Sequence, residues 1–375
     1  MSGAGNRQGG QGGGVSIGQL LNRGIRALGT APPPTQDYIQ IAQKCLRGRV
    51  MMISACQDFG GAFDVQDVAS FGLPPVSAQS KAGGACTNGL LSTLSKYPNI
   101  SMGQLMITMN QDLRCRGYAQ IPQLSTSHQT DLRKTPFSFT NPKPNGRTRA
   151  LLIGINYIGS ESELQGCIND VAMMRQAIMR AGFNPDPSVM RVLTDRVDFG
   201  CAYDNRADGP LRGVVQSLAT YDNIIACLQW LTQGVQPGDS LFFHFSGHGA
   251  QQRDRDGDEK KVRHVKDVMD EAILPMDYRA KGPDEIRKMI TDDVLFQMLV
   301  APLPEGANLF CIFDCCHSGT VLDLPFIFSA TNEGCQALQS GQVTSTGQNV
   351  NFNAEMAMKL VQLAAQGIFR VLGQR

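Results

Sequence analysis

The sequence predicts an α/β fold, a mainly parallel sheet covered by helices on both faces. Three observations carry it. Short apolar, β-forming runs at 49–55 (RVMMISA), 150–155 (ALLIGI), 189–193, 240–245 (SLFFHF) and 309–313 (LFCIF) read as buried strands. Between them lie stretches of helical periodicity, and strands that alternate with helices build a sheet covered on both sides. Two of the runs stop abruptly on chemistry-bearing groups, Ser246-Gly247-His248-Gly249 and Asp314-Cys315-Cys316-His317-Ser318. The carboxyl edge of an open α/β sheet is where such groups collect.

Residues 1–36 are rich in Gly, Gln and Pro, with no acidic residue, and are expected to form a flexible leader holding one short helix at 16–28. Globular composition begins at 37. After the strand at 49–55 comes a loop with Gly83 and Gly84, then helices at 85–96 and 101–114. The second aligns Met102, Leu105, Met106 and Met109 on one face, a core stripe. A proline in 118–128 (YAQIPQLSTSH) makes that run an edge strand. Three prolines and no periodicity make 129–148 a linker between this part (37–128) and a second α/β unit at 149–330. In that unit Ile168, Val171, Met174, Ile178 and Ala181 recur at helical spacing, with Asp170 in the first turn. Further helices are expected at 222–232 and 293–300, and a tail at 331–375 ends in an amphipathic helix at 354–372.

At 375 residues with 42% hydrophobic content the chain can bury a substantial core, and its net charge of +1 gives no field that would draw nucleic acid or a membrane surface. No run approaches the ~18 apolar residues of a membrane span. Eleven cysteines, an odd number without regular spacing, and no secretory signal point to free thiols in a cytoplasmic setting. The leader's lack of acids is also a trait of organelle transit peptides, although it holds few arginines. A monomer is expected.

A buried cysteine is by itself a small hydrophobe, and a lone histidine is as easily structural as catalytic. Paired at one edge of one sheet, Cys316 and His248 favour chemistry.

HFSGHGAQ at 244–251 and DCCHSGTVLDLPF at 314–326 resemble the two catalytic signatures of metacaspases, caspase-like cysteine proteases. RALLIGINY at 149–157 and LQGCINDV at 164–171 resemble the opening of that family's large catalytic part. GRVMMISACQD at 48–58, GGACTNGLLSTL at 83–94 and IPQLSTSH at 121–128 resemble its small part, which here comes first, the arrangement of type III metacaspases. The resemblance implies a caspase-like (caspase-hemoglobinase) fold with one six-stranded sheet, the strand at Val50 lying beside the one that leads to Cys316. A 20-residue linker extends to about 60 Å, whereas a core of this size has a gyration radius of about 18 Å, so either chain order can build the same sheet.

The resemblance further implies Cys316 as nucleophile, His248 as its acid/base partner, and the backbone N–H groups of Gly249 and Cys316 as an oxyanion hole. Asp170, Asp314 and Ser246 resemble the pocket for the side chain preceding the cut, and two acids there favour Arg or Lys in a protein or peptide substrate. Asp270, Asp292, Asp293 and Asp323 resemble the positions that hold calcium in calcium-dependent members. Cys315, His244 and His317 are expected to serve structure. The competing reading is a non-enzymatic scaffold that keeps the fold.

Overall fold

The computed structural model describes residues 35–55, 64–73, 82–140, 146–195, 211, 214–253, 269–280, 286–341 and 351–352. Helix α1 (Thr35–Cys45) leads into strand β1 (Arg49–Ser54), and helices α2 (Ala85–Lys96) and α3 (Met102–Cys115) precede β2 (Gln123–Thr126). Next come β3 (Thr148–Gly154), α4 (Cys167–Arg180), β4 (Met190–Thr194), β5 (Val215–Leu218), α5 (Tyr221–Thr232) and β6 (Ser240–Ser246). Then follow β7 (Gly249–Arg253), β8 (Met269–Ile273), β9 (Ile290–Thr291), α6 (Asp292–Leu295), β10 (Asn308–Asp314), β11 (Phe326–Ser329), α7 (Asn332–Ser340) and β12 (Asn351–Phe352).

Nine strands share one sheet in the order β12-β11-β2-β1-β10-β6-β3-β4-β5. From β1 to β5 all neighbours are parallel; the β1/β2, β2/β11 and β11/β12 pairs are antiparallel. β1 enters beside β10 in unbroken register, Val50 opposite Leu309 and Ser54 opposite Phe313. The N-terminal part and the catalytic part therefore complete a single sheet despite their order in the chain.

All six strands expected from the sequence are present, and β5, β11 and β12 extend the sheet to nine. These three have four, four and two residues, too short for an apolar pattern to separate strand from loop. They form because an open sheet edge offers unpaired N–H and C=O groups. The helix expected at 293–300 is one α turn continued by a π turn at Phe296–Val300, closed by Ala301 N donating to Phe296 O at 3.0 Å. The helices expected at 16–28 and 354–372 lie outside the described residues. Among the described residues no helix is long and apolar enough to cross a membrane.

Strand alternation divides the core. Along β6, Leu241, Phe243 and Phe245 join a cluster with Ile224, Leu228 and Leu231 of α5 and with Phe296 and Leu299. Phe242 points the other way, to the Leu90, Met106, Met109, Val171 and Met174 side chains of α2, α3 and α4. The methionine stripe is core, as its spacing implied. Linker residues Phe137 and Phe139 also dock here, edge-on to Phe310 and Phe242 at ring distances of 5.3 and 5.6 Å. Truncating the buried Phe139 is expected to cost about 3 kcal/mol or more, so the linker closes one face of the core as well as spanning it.

His244 lies wholly buried in the middle of this sheet, and burial pushes its pKa down to about 3. It is neutral in the fold. Its folded pKa is below the unfolded value, so the native state binds fewer protons than the unfolded chain as pH falls below about 6.5. Stability is therefore expected to drop by up to about 1.4 kcal/mol per pH unit from about 6.5 toward the folded pKa. Urea melts of His244→Gln at pH 7, 6 and 5 are expected to show a shallower acid dependence than the wild type. Parallel slopes would contradict the neutral burial.

Candidate active site

The last parallel pair of β6 and β10 is Ser246 opposite Asp314. His248 and Cys316 each stand two residues beyond that pair, so the two strands deliver them to the same carboxyl edge. A Cβ added at Gly249 would lie 1.8 Å from the Cys316 carbonyl oxygen. The turn after β6 thus lies directly against the backbone of the Cys315–Cys316 turn, and only glycine permits that approach. Cys316 is partly exposed and Cys315 is buried. Ser318, also buried, donates its hydroxyl to the Cys315 carbonyl at 3.0 Å and tightens the turn.

The His248 Nε2 atom stands 2.7 Å from the Ser162 carbonyl oxygen. A carbonyl only accepts, so Nε2 carries the proton and Nδ1 is the basic nitrogen of the neutral ring. Ser162 belongs to the loop that follows β3, which also supplies Tyr157, its ring centroid 4.5 Å from that of His248.

Beneath this edge lie the acids. Asp170, in the first turn of α4 and wholly buried, accepts the Gly84 N–H at 2.9 Å on both carboxylate oxygens and the Ser246 hydroxyl at 2.7 Å. Asp314, at the end of β10, accepts the Thr87 N–H at 2.7 Å. Gly84 is the N-cap of α2 and Thr87 lies in its first turn. The positive end of a helix from the N-terminal part therefore rests on both carboxylates, and its unsatisfied N–H groups find their acceptors there. A Cβ at Gly84 would stand 2.2 Å from Asp314 and 2.9 Å from Asp170, which explains the glycine. Reading the sequence for side-chain chemistry misses Gly84 and Thr87. The available signal was a Gly-Gly pair opening a helix with no acid in its first turn.

Asp270, Asp292, Asp293 and Asp323 fall on a second, smaller sheet and the loop beside it. β8 pairs with β9, Ala272 opposite Thr291, which brings Asp270 and the Asp292–Asp293 pair to one end. Asp292 accepts the Glu271 N–H at 3.3 Å, Glu271 accepts the Thr320 N–H at 3.0 Å, and Asp323 N donates to the Thr320 carbonyl at 2.7 Å. Glu271, unnoticed in the sequence, links the acids to the loop that follows Cys316. Asp270, Glu271, Asp293 and Asp323 each hold a carboxylate oxygen sealed from solvent. Among the described residues no three His, Cys, Asp or Glu side chains already stand in ligating geometry, but the donors are all oxygens, the set a hard cation takes.

Residues 148–325 match the family described as metacaspase, peptidase C14 domain. The chain is 38% identical over 293 residues to "Metacaspase III c" of Phaeodactylum tricornutum, covering 76% of this chain and 77% of that protein. It is 45% identical over 194 residues to "Metacaspase-1" of Yarrowia lipolytica, covering 52% of this chain and 36% of that protein. With "Metacaspase-1" of Mycosarcoma maydis it shares 42% identity over 186 residues, 50% of this chain and 39% of that one. The chain thus spans about three quarters of the first relative and under two fifths of the other two. A parallel sheet completed by its own N-terminal strand, and likeness of this extent, make the chain a member of the metacaspase family, cysteine-type peptidases of caspase-like fold.

Proposed function

We propose that this metacaspase is a calcium-dependent endopeptidase that cleaves after Arg or Lys through a Cys316–His248 dyad. The observation that carries the reading is the Ser246–Asp314 register, which puts thiol and imidazole on one sheet edge above two buried acids. His248 Nδ1 takes the Cys316 proton, and the thiolate sulfur bonds to the scissile carbonyl carbon. The negative oxygen that results is met by the N–H groups of Gly249 and Cys316. His248 returns the proton to the amide nitrogen, the C–N bond breaks, and the amine leaves. Water, deprotonated by His248, then releases the acid product and the free thiol. Asp170 and Asp314, with Ser246 at the wall, complement a guanidinium or ammonium and repel a carboxylate.

Asp270, Asp292, Asp293 and Asp323 would hold the calcium, with Glu271 beside them. Bound there, the ion would neutralise the acids and stiffen the Thr320–Asp323 turn that continues from Cys316.

Peptides ending in Arg, Lys or Asp, assayed with calcium and with chelator, test the reading, with Cys316→Ala as the blank. Arg and Lys substrates are expected to turn over at least about 100-fold faster than Asp; equal turnover of the Asp peptide would overturn the specificity. Full activity in chelator would overturn the calcium requirement. Calorimetry of calcium binding to the Cys316→Ala protein, with and without Asp292→Ala and Asp293→Ala, gives a readout independent of turnover, and the added changes are expected to abolish the binding heat.

A further inference from the structure

We infer that Tyr157 is the positioning residue of the dyad, holding His248 through a hydroxyl inserted in a backbone ladder. The inference rests on His248 being the acid/base, as proposed above. Strands β7 and β8 pair with Gly249 opposite Ile273, so His248 and Leu274 form the next pair. In a regular antiparallel ladder such a pair exchanges two direct bonds. One is present, Leu274 N donating to His248 O at 3.0 Å. The other runs through the phenol: His248 N donates to Tyr157 Oη at 2.9 Å, and Tyr157 Oη–H donates to Leu274 O at 2.6 Å. The hydroxyl wedges the end of the ladder open at the residue that carries the imidazole.

The same side chain also limits the ring. Tyr157 is buried, and its ring lies 4.5 Å from the imidazole at an interplanar angle of 37°. The imidazole is thus bounded on one flank by the phenol, while its Nε2 is taken by Ser162 O at 2.7 Å from the same loop. The loop is itself fastened at both sides of Tyr157. Ile155 N donates to Ser246 O at 3.0 Å, and Ile158 N donates to Asp195 Oδ2 at 3.1 Å, at the end of β4. Tyr157 adopts φ +52°, a left-handed conformation that glycine favours and a bulky side chain does not. Backbone preference does not account for a tyrosine here; its contacts with His248 and Leu274 do.

Tyr157→Phe keeps the ring and removes only the wedge. The His248 and Leu274 groups then either lose their partner or close directly, drawing His248 toward β8. We expect kcat to fall about tenfold with KM within about twofold. The pH profile for alkylation of Cys316 by iodoacetamide, which follows the thiolate fraction that His248 sustains, is expected to shift upward, with Cys316→Ala as the blank. Wild-type kcat with a wild-type profile would overturn the inference. So would a lower melting temperature with the alkylation profile unmoved, since that is what a merely structural tyrosine produces. His248→Ala in the same assay separates the two ideas. If it leaves turnover and profile intact the dyad itself fails, whereas an effect there with none in Tyr157→Phe overturns the positioning role alone.

Discussion

Replacing His248 with alanine is expected to lower kcat on an Arg-terminated peptide by about 1000-fold or more while KM changes little. The fold supplies His248 through the β6 turn, and of the other described histidines only His317, which follows Cys316 in the chain and is expected to serve structure, belongs to this edge. His244 is sealed two residues before the end of β6, and His128 is bonded to Ser127 at 2.8 Å beside β1. Without the imidazole only a few per cent of an ordinary thiol is ionised near neutral pH, and nothing hands a proton to the leaving amine. Initial rates over a range of substrate concentrations read both parameters. A loss of less than about tenfold would show that another group moves the proton.

Gly249→Ala is expected to cost about 100- to 1000-fold in kcat, out of proportion to one methyl group. The added carbon would meet the Cys316 carbonyl oxygen at 1.8 Å, and that oxygen is backbone with no rotamer to yield. Either the nucleophile's turn or the histidine's must move. There is a second reason. Since the His248–Leu274 pair carries the ladder bonding, the Gly249–Ile273 pair is the non-bonded one, and the Gly249 N–H turns away from β8. A backbone donor to an oxyanion must be left unused by the strand ladder in this way. The variant's circular dichroism and melting temperature check that the fold survives, and near-wild-type turnover in the folded variant would rule out the close approach as a catalytic requirement.

Much of this architecture was legible from the chain. The strands β1, β3, β6 and β10 are continuous apolar runs because both their faces are covered, and the helical stretch read at 85–96 is α2, Ala85–Lys96. The polar stops after β6 and β10 pointed to one edge for His248 and Cys316, since parallel neighbours end on the same side. Such features are local. They depend on which residues are apolar and at what spacing.

What tertiary structure alone decided are the contacts between segments far apart in sequence. Gly84 reaches Asp170 across 86 residues, Thr87 reaches Asp314 across 227, and Tyr157 reaches His248 across 91. Their donors are two backbone N–H groups at a helix start and one at a strand end, and every non-proline residue carries such a group. Residue type therefore does not single them out; strand order and register do. The same holds for β5, β11 and β12, which exist because a sheet edge was there to receive them, and for Phe137 and Phe139, whose aperiodic linker crosses the face left open beside Phe242 and Phe310. The sequence by itself named the residues to which the chemistry is assigned. The fold determined which backbone groups hold them, because a hydrogen bond is specified by where its two ends come to lie.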